Sequence, residues 1–360
     1  MSTSSDFRVV TKGQMMGTEK RWRRFGEPTP AGESLRPDGT PDYGVFGPGT
    51  VAWEVMLHPA QMFFETIAQG HLQFTYKPIF AGVRDLDPMS RKARDGSVTI
   101  FDAMDRGQRN SGIHAPMWFG DTATAQRIAK HLINMHTKVK GDLIDLGDPD
   151  LGGYEANSPR ESMWAALTEC QAMLWVYERL GWGTKRLTDA ERDQYWAECA
   201  EYVRLFPHDK TEIPLNAADL RALYAKYERF FSHSDTVTTM PANGENWYDA
   251  MEHGIKQNFH RSQTPMIVQT LIQQSFALVV AGALSGIARR NMGYGPVKSR
   301  VALAARRLAW PLVGLMQWGP VQRYYMRLMW GPDAMRLIDS ARELHAQARR
   351  EGVVVGARPA

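Results

Sequence analysis

The sequence predicts an all-α fold, and three observations predict it. Apolar residues recur at helical spacing through most of the chain after residue 44, and capping residues stand ahead of those runs. No β-branched alternating run of strand length recurs between turn signals. At 360 residues, 43% hydrophobic and 23% charged, the chain is globular and long enough for a sizeable core.

Residues 1–43, with "EPTPAGESLRPDGTPDYG" at their end, are rich in Gly, Pro and charge and predict an extended arm. Residues 44–350 form one helical domain, and 351–360 a tail. "VAWEVMLHPAQMFFETIAQGHLQF" is helical, interrupted at Pro59, and ends before the Lys77-Pro78 step. Asp121 or Thr122 caps the helix that follows, and Gly141 is its expected left-handed exit. Ser158-Pro159-Arg160-Glu161 reads as a capping box opening a helix that ends at Gly181. Thr188 to Glu191 repeats the device, and Asn216 caps "AADLRALYAKYERFFSH". Helical patterns resume in "NWYDAMEHGIKQNF", "PMIVQTLIQQSFALVVAGALSGIARR" and "DAMRLIDSARELHAQARREG". Trp-Gly-Pro at 318–320 and 330–332 reads as paired helix punctuation rather than a repeat architecture.

A net charge of +4 and a pI near 9.0 are mild, so nucleic acid is not the expected partner. "KRWRRF" at 20–25 reads as a solvated terminal run, with contact to anionic lipid or protein as the alternative. Cys170 and Cys199 alone offer no disulfide framework, zinc knuckle or covalent haem attachment. The N-terminal residues lack an apolar leader core, and "FGEPTPAGES" after Arg23-Arg24 argues against twin-arginine export, so a cytoplasmic location is expected. "FALVVAGALSGIA" at 276–288 falls short of the roughly 20 residues of a membrane span. "RVALAARRLAWPLVGLMQW" at 300–318 mixes cations with an apolar face. It reads either as an ordinary core-facing helix or as a peripheral membrane contact.

Spacing excludes most familiar chemistries. No histidine follows Asp or Glu by three residues, as di-iron bundles require. His-Glu-x-x-His, Gly-x-Ser-x-Gly and a Gly-rich phosphate loop after a strand do not occur. In "FGDTATAQRIAKHLINMHTKVKG" at 119–141, Ala125, Ile128, Leu132, Met135 and Val139 share one helix face. His136, one turn after Leu132, lies within about 50° of that face's centre. His131 is about 140° around the helix from His136, too far to share a metal. Two readings of His136 stand: a hydrogen-bonded core histidine, or the single neutral imidazole that non-covalent haem needs beside cations and an apolar slot. Arg106 and Arg109 share a helical face upstream, with Asn110 one turn after Arg106.

The stretches "FGPGTVAWEV" at 46–55, "KPIFAGVRD" at 77–85, "RGQRN" at 106–110, 119–141 and "LTDAERDQYW" at 187–196 resemble the latex-clearing rubber oxygenase and MpaB oxygenase family. The resemblance implies a globin-like all-α core with added N- and C-terminal helices, holding haem b. It implies an oxygenase that uses dioxygen to cleave a carbon–carbon double bond in an isoprenoid. It points to His136 as the iron ligand, with Leu132 on the cofactor side, and to Arg106, Arg109 and Asn110 as distal groups. The implied partners are an apolar or lipid-like substrate, dioxygen and an electron donor that the sequence does not identify.

Several positions depart from the rubber-cleaving branch. Its distal Arg-x-x-Lys-Thr matches Arg106 to Asn110 here, and Arg109, always protonated, has no lone pair with which to close the iron. Its upstream glutamate base has no match between Glu65 and Glu155, leaving Asp85, Asp87, Asp102 and Asp105 as substitutes that spacing does not separate. Lys77-Pro78 replaces His-Pro, and Trp164-Ala165-Ala166 replaces Trp-x-His. Dehydrogenation or hydroxylation of a smaller natural product, and a non-catalytic haem-binding or membrane-docking role, therefore stand beside double-bond cleavage.

Overall fold

The structure is a computed structural model describing residues 26–258, 276–329 and 331–355. The run 20–25, the stretch 259–275 and Trp330 lie outside the described residues, as do the side chains of Asp105 and Arg109. The all-α expectation holds. Among the described residues the one sheet is a two-residue antiparallel ribbon, β1 (Lys140–Gly141) with β2 (Tyr154–Glu155).

In chain order the first helices are α1 (Val51–Met56), α2 (Gln61–Gln73), α3 (Lys77–Leu86), α4 (Pro88–Arg94), α5 (Ile100–Phe119) and α6 (Thr122–His136). After the ribbon come α7 (Pro159–Leu180), α8 (Asp189–Val203), α9 (Ala217–Lys226) and α10 (Trp247–Gln257). A helical stretch at 276–283 precedes α11 (Gly286–Asn291), α12 (Pro296–Leu308), α13 (Trp310–Met316), α14 (Gly319–Met329) and α15 (Gly331–Glu351). The Trp-Gly-Pro segments do punctuate helices, opening α14 and α15.

α7 is the central helix. Ser158 caps it by accepting from the Glu161 amide, and Pro159 supplies a preset φ at the first position. Its buried residues run along nearly the whole helix, and such a helix must be surrounded. α2 packs lengthwise against it, α8 and α1 also pack on it, and α5 joins α2 to α6. Trp53, Trp118, Trp164 and Trp196 are fully buried among these helices. At roughly 25 cal/mol per Å² and 150–250 Å² per ring, each contributes about 4–6 kcal/mol of transfer energy before entropy is counted.

The described part of the arm, 26–43, contains no helix, runs through turns held by a Leu35–Pro41 bridge, and lies across the start of α6. Asp42 accepts from the Thr122 amide at 3.0 Å and hydroxyl at 2.7 Å, and Ser34 donates to Asp121 at 2.8 Å. Gly44, at φ +72°, sits so close to the α5–α6 turn that a Cβ would meet the Gly120 carbonyl oxygen at 2.0 Å. At the other end of α6 the expectation fails. The helix stops at His136 with Thr137 as a right-handed cap, and Gly141 is a strand residue without positive φ. Glycine is required there because a Cβ would meet the Tyr154 ring at 2.7 Å.

Candidate active site

Asp121 caps α6, accepting from the Thr124 amide at 2.8 Å, and Ala125, Ile128 and Ala129 are buried below it. The apolar stripe then fades: Leu132 is half-buried against the core and Met135 is exposed. His136, on the last turn, is half-buried, and its ring makes no hydrogen bond to the described residues. Burial, and then the positive field of Arg106, hold its pKa below the usual imidazole range. The ring is neutral and keeps a lone pair for a ligand.

Arg106 is on α5, which Thr99 opens through a capping box with Asp102. Its Nε donates to Asp87 at 3.0 Å, and Nη1 lies 3.5 Å from Asn110 Oδ1. One turn on, Asn110 Nδ2 donates to Gln69 Oε1 on α2 at 2.8 Å, and Gln69 Nε2 reaches Glu169 Oε2 on α7 at 3.3 Å. Asn110 is thus two hydrogen bonds, and Arg106 three, from Glu169 in the middle of the bundle.

That middle is polar. Glu169 is buried, and its Oε1 accepts from Trp118 Nε1 and from the Tyr202 hydroxyl, each at 3.0 Å. His114 Nδ1 lies 2.9 Å from the same oxygen, an ion-pair contact off the line of a good hydrogen bond. Asn110, His114 and Trp118 recur every fourth residue, which is why one face of α5 brings all three inward. Burial alone would pull the His114 pKa down, but the Glu169 carboxylate, with Glu65 adding to it, raises it above the usual imidazole value. Glu65 on α2 is in a different position. Its Oε2 accepts from Thr66 at 3.1 Å, while its buried Oε1 meets no donor among the described residues. Burial, opposed by the charge of His114 and reinforced by that of Glu169, raises the Glu65 carboxyl to about 7. A carboxyl that titrates near neutrality, short of donors and next to an imidazole, is suited to accept and return a proton.

Glu65 was not among the expected acids, and three of the four expected ones have structural duties. Asp85 pairs with the fully buried Arg84 and accepts from the Tyr154 hydroxyl. Asp87 caps α4 and holds Arg106, and Asp102 closes the α5 capping box and pairs with Lys92. The side chain of Asp105, like that of Arg109, lies outside the described residues. The departure at Lys77 has a structural account, and at the second departure the buried Ala166 follows a Trp164 that the pattern keeps. Lys77 forms a buried ion pair with Asp145 at 3.2 Å, and Trp164 packs edge-on against Phe231 at 4.6 Å between centroids.

Among the described residues no group of three or more His, Cys, Asp and Glu side chains is arranged to hold a metal ion. A cofactor held through one imidazole needs no such group, and the donor chemistry at His136 fits haem: a neutral ring with a free lone pair beside a cation. An open depression of about 350 Å³ lies elsewhere, at the start of α7, lined by Ser158, Arg160, Glu161, Asp209, Glu212 and Tyr227 among others.

Neither a curated protein nor a solved structure matches the chain. The sequence model of one family, described as "ER-bound oxygenase mpaB/B'/Rubber oxygenase, catalytic domain", matches residues 53–314, from the buried Trp53 of α1 to Gly314 of α13. That span takes in α2, α5, α6, α7 and α8, hence every residue of the polar cluster and His136. The chain belongs to the mpaB/rubber oxygenase catalytic-domain family.

Proposed function

We propose that the protein is a haem b-dependent oxygenase that uses dioxygen and an external electron donor on an apolar, isoprenoid or lipid-like substrate, with His136 as the iron ligand. The observation that carries this reading is the His136 imidazole, kept neutral by burial and by Arg106 and free of hydrogen bonds to the described residues, in a chain of an oxygenase family. Leu132, one turn earlier, offers an apolar contact on the same side of α6. Haem supplies the redox chemistry of dioxygen when bound.

The chain's own residues supply charge, orientation and a proton. Arg106, anchored through Nε by Asp87, directs its remaining donors at an anionic group, and Arg109, three residues on, is assigned the same duty. Asn110 fixes Gln69, and Gln69 fixes Glu169. Glu169, met by Trp118 and Tyr202, favours the charged form of His114, which in turn acts on Glu65. The ionised Glu65 accepts a proton at Oε1, the atom without a donor among the described residues, and the charge of His114 favours the carboxylate that exists before that transfer.

The test is an absorption spectrum of the haem-loaded protein and of His136→Ala. A strong Soret band in the wild type, lost or shifted in the variant, is expected. A folded wild type that stays colourless after haem addition, or a variant with an unchanged spectrum, overturns the assignment.

A further inference from the structure

The C-terminal helices carry apolar side chains on both sides. Val313, Met316 and Met326 face inward and are buried. Tyr325 stacks on Phe63 of α2 at 4.4 Å between centroids, two residues before Glu65. On the outer side, Val297, Val301, Leu308, Leu312, Leu315 and Trp318 are exposed, Leu308 by 82% and Trp318 by 61%. Within α12 the spacing puts Val297, Val301 and Leu308 on one face, and Leu312 and Leu315 on α13 with Trp318 at its exit add exposed apolar side chains directly after it. Tyr324 at 73% and Trp182, tilted against Trp310 at 5.1 Å, add aromatic rings. A run of exposed apolar side chains of this size marks a contact surface rather than scattered exposure.

Charge selects the partner. Between His253 and Pro332 the sequence holds ten Lys and Arg residues and no Asp or Glu, in a chain whose net charge is only +4. Lys298, Arg300, Arg307 and Arg327 are exposed on α12 and α14. A second copy seated across a two-fold axis would press cations against cations. Anionic headgroups would neutralise the same residues while the apolar side chains and aromatic rings enter the boundary between headgroups and acyl chains. Among the described residues no helix is long and apolar enough to cross a membrane, and apolar side chains along the flanks of α12 and α13 suit a contact in the plane of the surface.

We infer that α12 to α14 dock the protein on an anionic lipid surface, with Leu308, Leu312, Leu315 and Trp318 inserted and Arg300 and Arg307 at the headgroups. The inference rests on exposure and charge, apart from the haem assignment. It places the lipid face one helix layer from α2, on which Glu65 sits.

Sedimentation of the full-length protein with vesicles tests it, using phosphatidylcholine alone and phosphatidylcholine containing about 30% phosphatidylserine. The wild type should pellet with the mixed vesicles and much less with phosphatidylcholine. Leu308→Glu with Leu312→Glu should bind at least about tenfold more weakly with an unchanged melting curve, because both residues face solvent. Arg300→Glu with Arg307→Glu should remove the dependence on phosphatidylserine. A wild type that stays in the supernatant with both vesicles overturns the inference. So does a leucine variant that pellets like the wild type, or one that converts a wild-type dimer to monomer without any vesicle binding.

Discussion

The middle of the bundle and its C-terminal layer invert the usual distribution of residues in opposite directions. Around Glu169, carboxylates, an imidazole and amides are buried between α2, α5, α7 and α8, whereas on α12 and α13 leucines and a tryptophan stand in solvent. A buried polar group costs free energy unless it is partnered, so the interior cluster is tightly coupled and sensitive to any change. An exposed leucine has no partner to lose, so the outer layer tolerates change in the protein by itself. Where apolar groups are out, the molecule prepares a contact; where polar groups are in, it prepares chemistry.

The sharpest way to break this comparison is to remove Glu169. Glu169→Ala leaves the Trp118 N–H, the Tyr202 hydroxyl and the Gln69 amide without their acceptor, and takes the counter-charge from His114. A loss of about 3–5 kcal/mol is expected, read as a shift of the urea midpoint. Glu169→Gln, which keeps the shape and one acceptor, should cost less. Equal costs for the two would mean that the cluster acts by volume and not by charge.

How much of this was legible follows from the range of each signal. Capping and periodicity are local, so Asp121, Ser158 and the Thr188 box read correctly, and so did the break near Pro59. The exit of α6 misread because Gly141 is needed for a close approach to Tyr154, a residue of the ribbon's other strand, and no local pattern shows that. His136 stood out because its motif is contiguous, and it lies half-buried on the last turn of α6. Glu65 was not: it stands 41 positions before Arg106, and only the packing of α2 on α5 and α7 brings it to His114. The acids near Arg106 in sequence were misleading because nearness along the chain made them caps and ion pairs instead. An inward row of Asn110, His114 and Trp118 at four-residue spacing was the one available signal for the cluster.

Glu65 sharpens the comparison through pH. Its folded-state pKa, about 7, lies above the 4.5 of an ordinary glutamate carboxyl, and that of His114 is also raised. Both groups bind protons more tightly in the folded state, so their contribution is present at acid pH and is lost as pH rises, for Glu65 between 4.5 and about 7. Glu65→Gln has no carboxylate to desolvate. It should match the wild type in stability near pH 4 and exceed it by on the order of 3 kcal/mol at pH 8. In turnover the sign reverses. Wild-type activity should rise through pH 7 as Glu65 ionises, and the variant should lose that limb while keeping its Soret band. A variant whose stability curve runs parallel to the wild type would remove Glu65 as a titrating group.

The smallest expected effect is on the outer layer. Leu308→Gln takes away a side chain that is 82% exposed, so little buried area changes and the last turn of α12 loses only a slight helix preference. The melting temperature should stay the same within what about 0.5 kcal/mol produces. A cost of the size expected at Glu169 would mean that this run of side chains is covered in the free protein and belongs to its core. Near-zero cost together with loss of vesicle binding separates the two inversions completely, because the same residue would then matter to the contact and not to the fold.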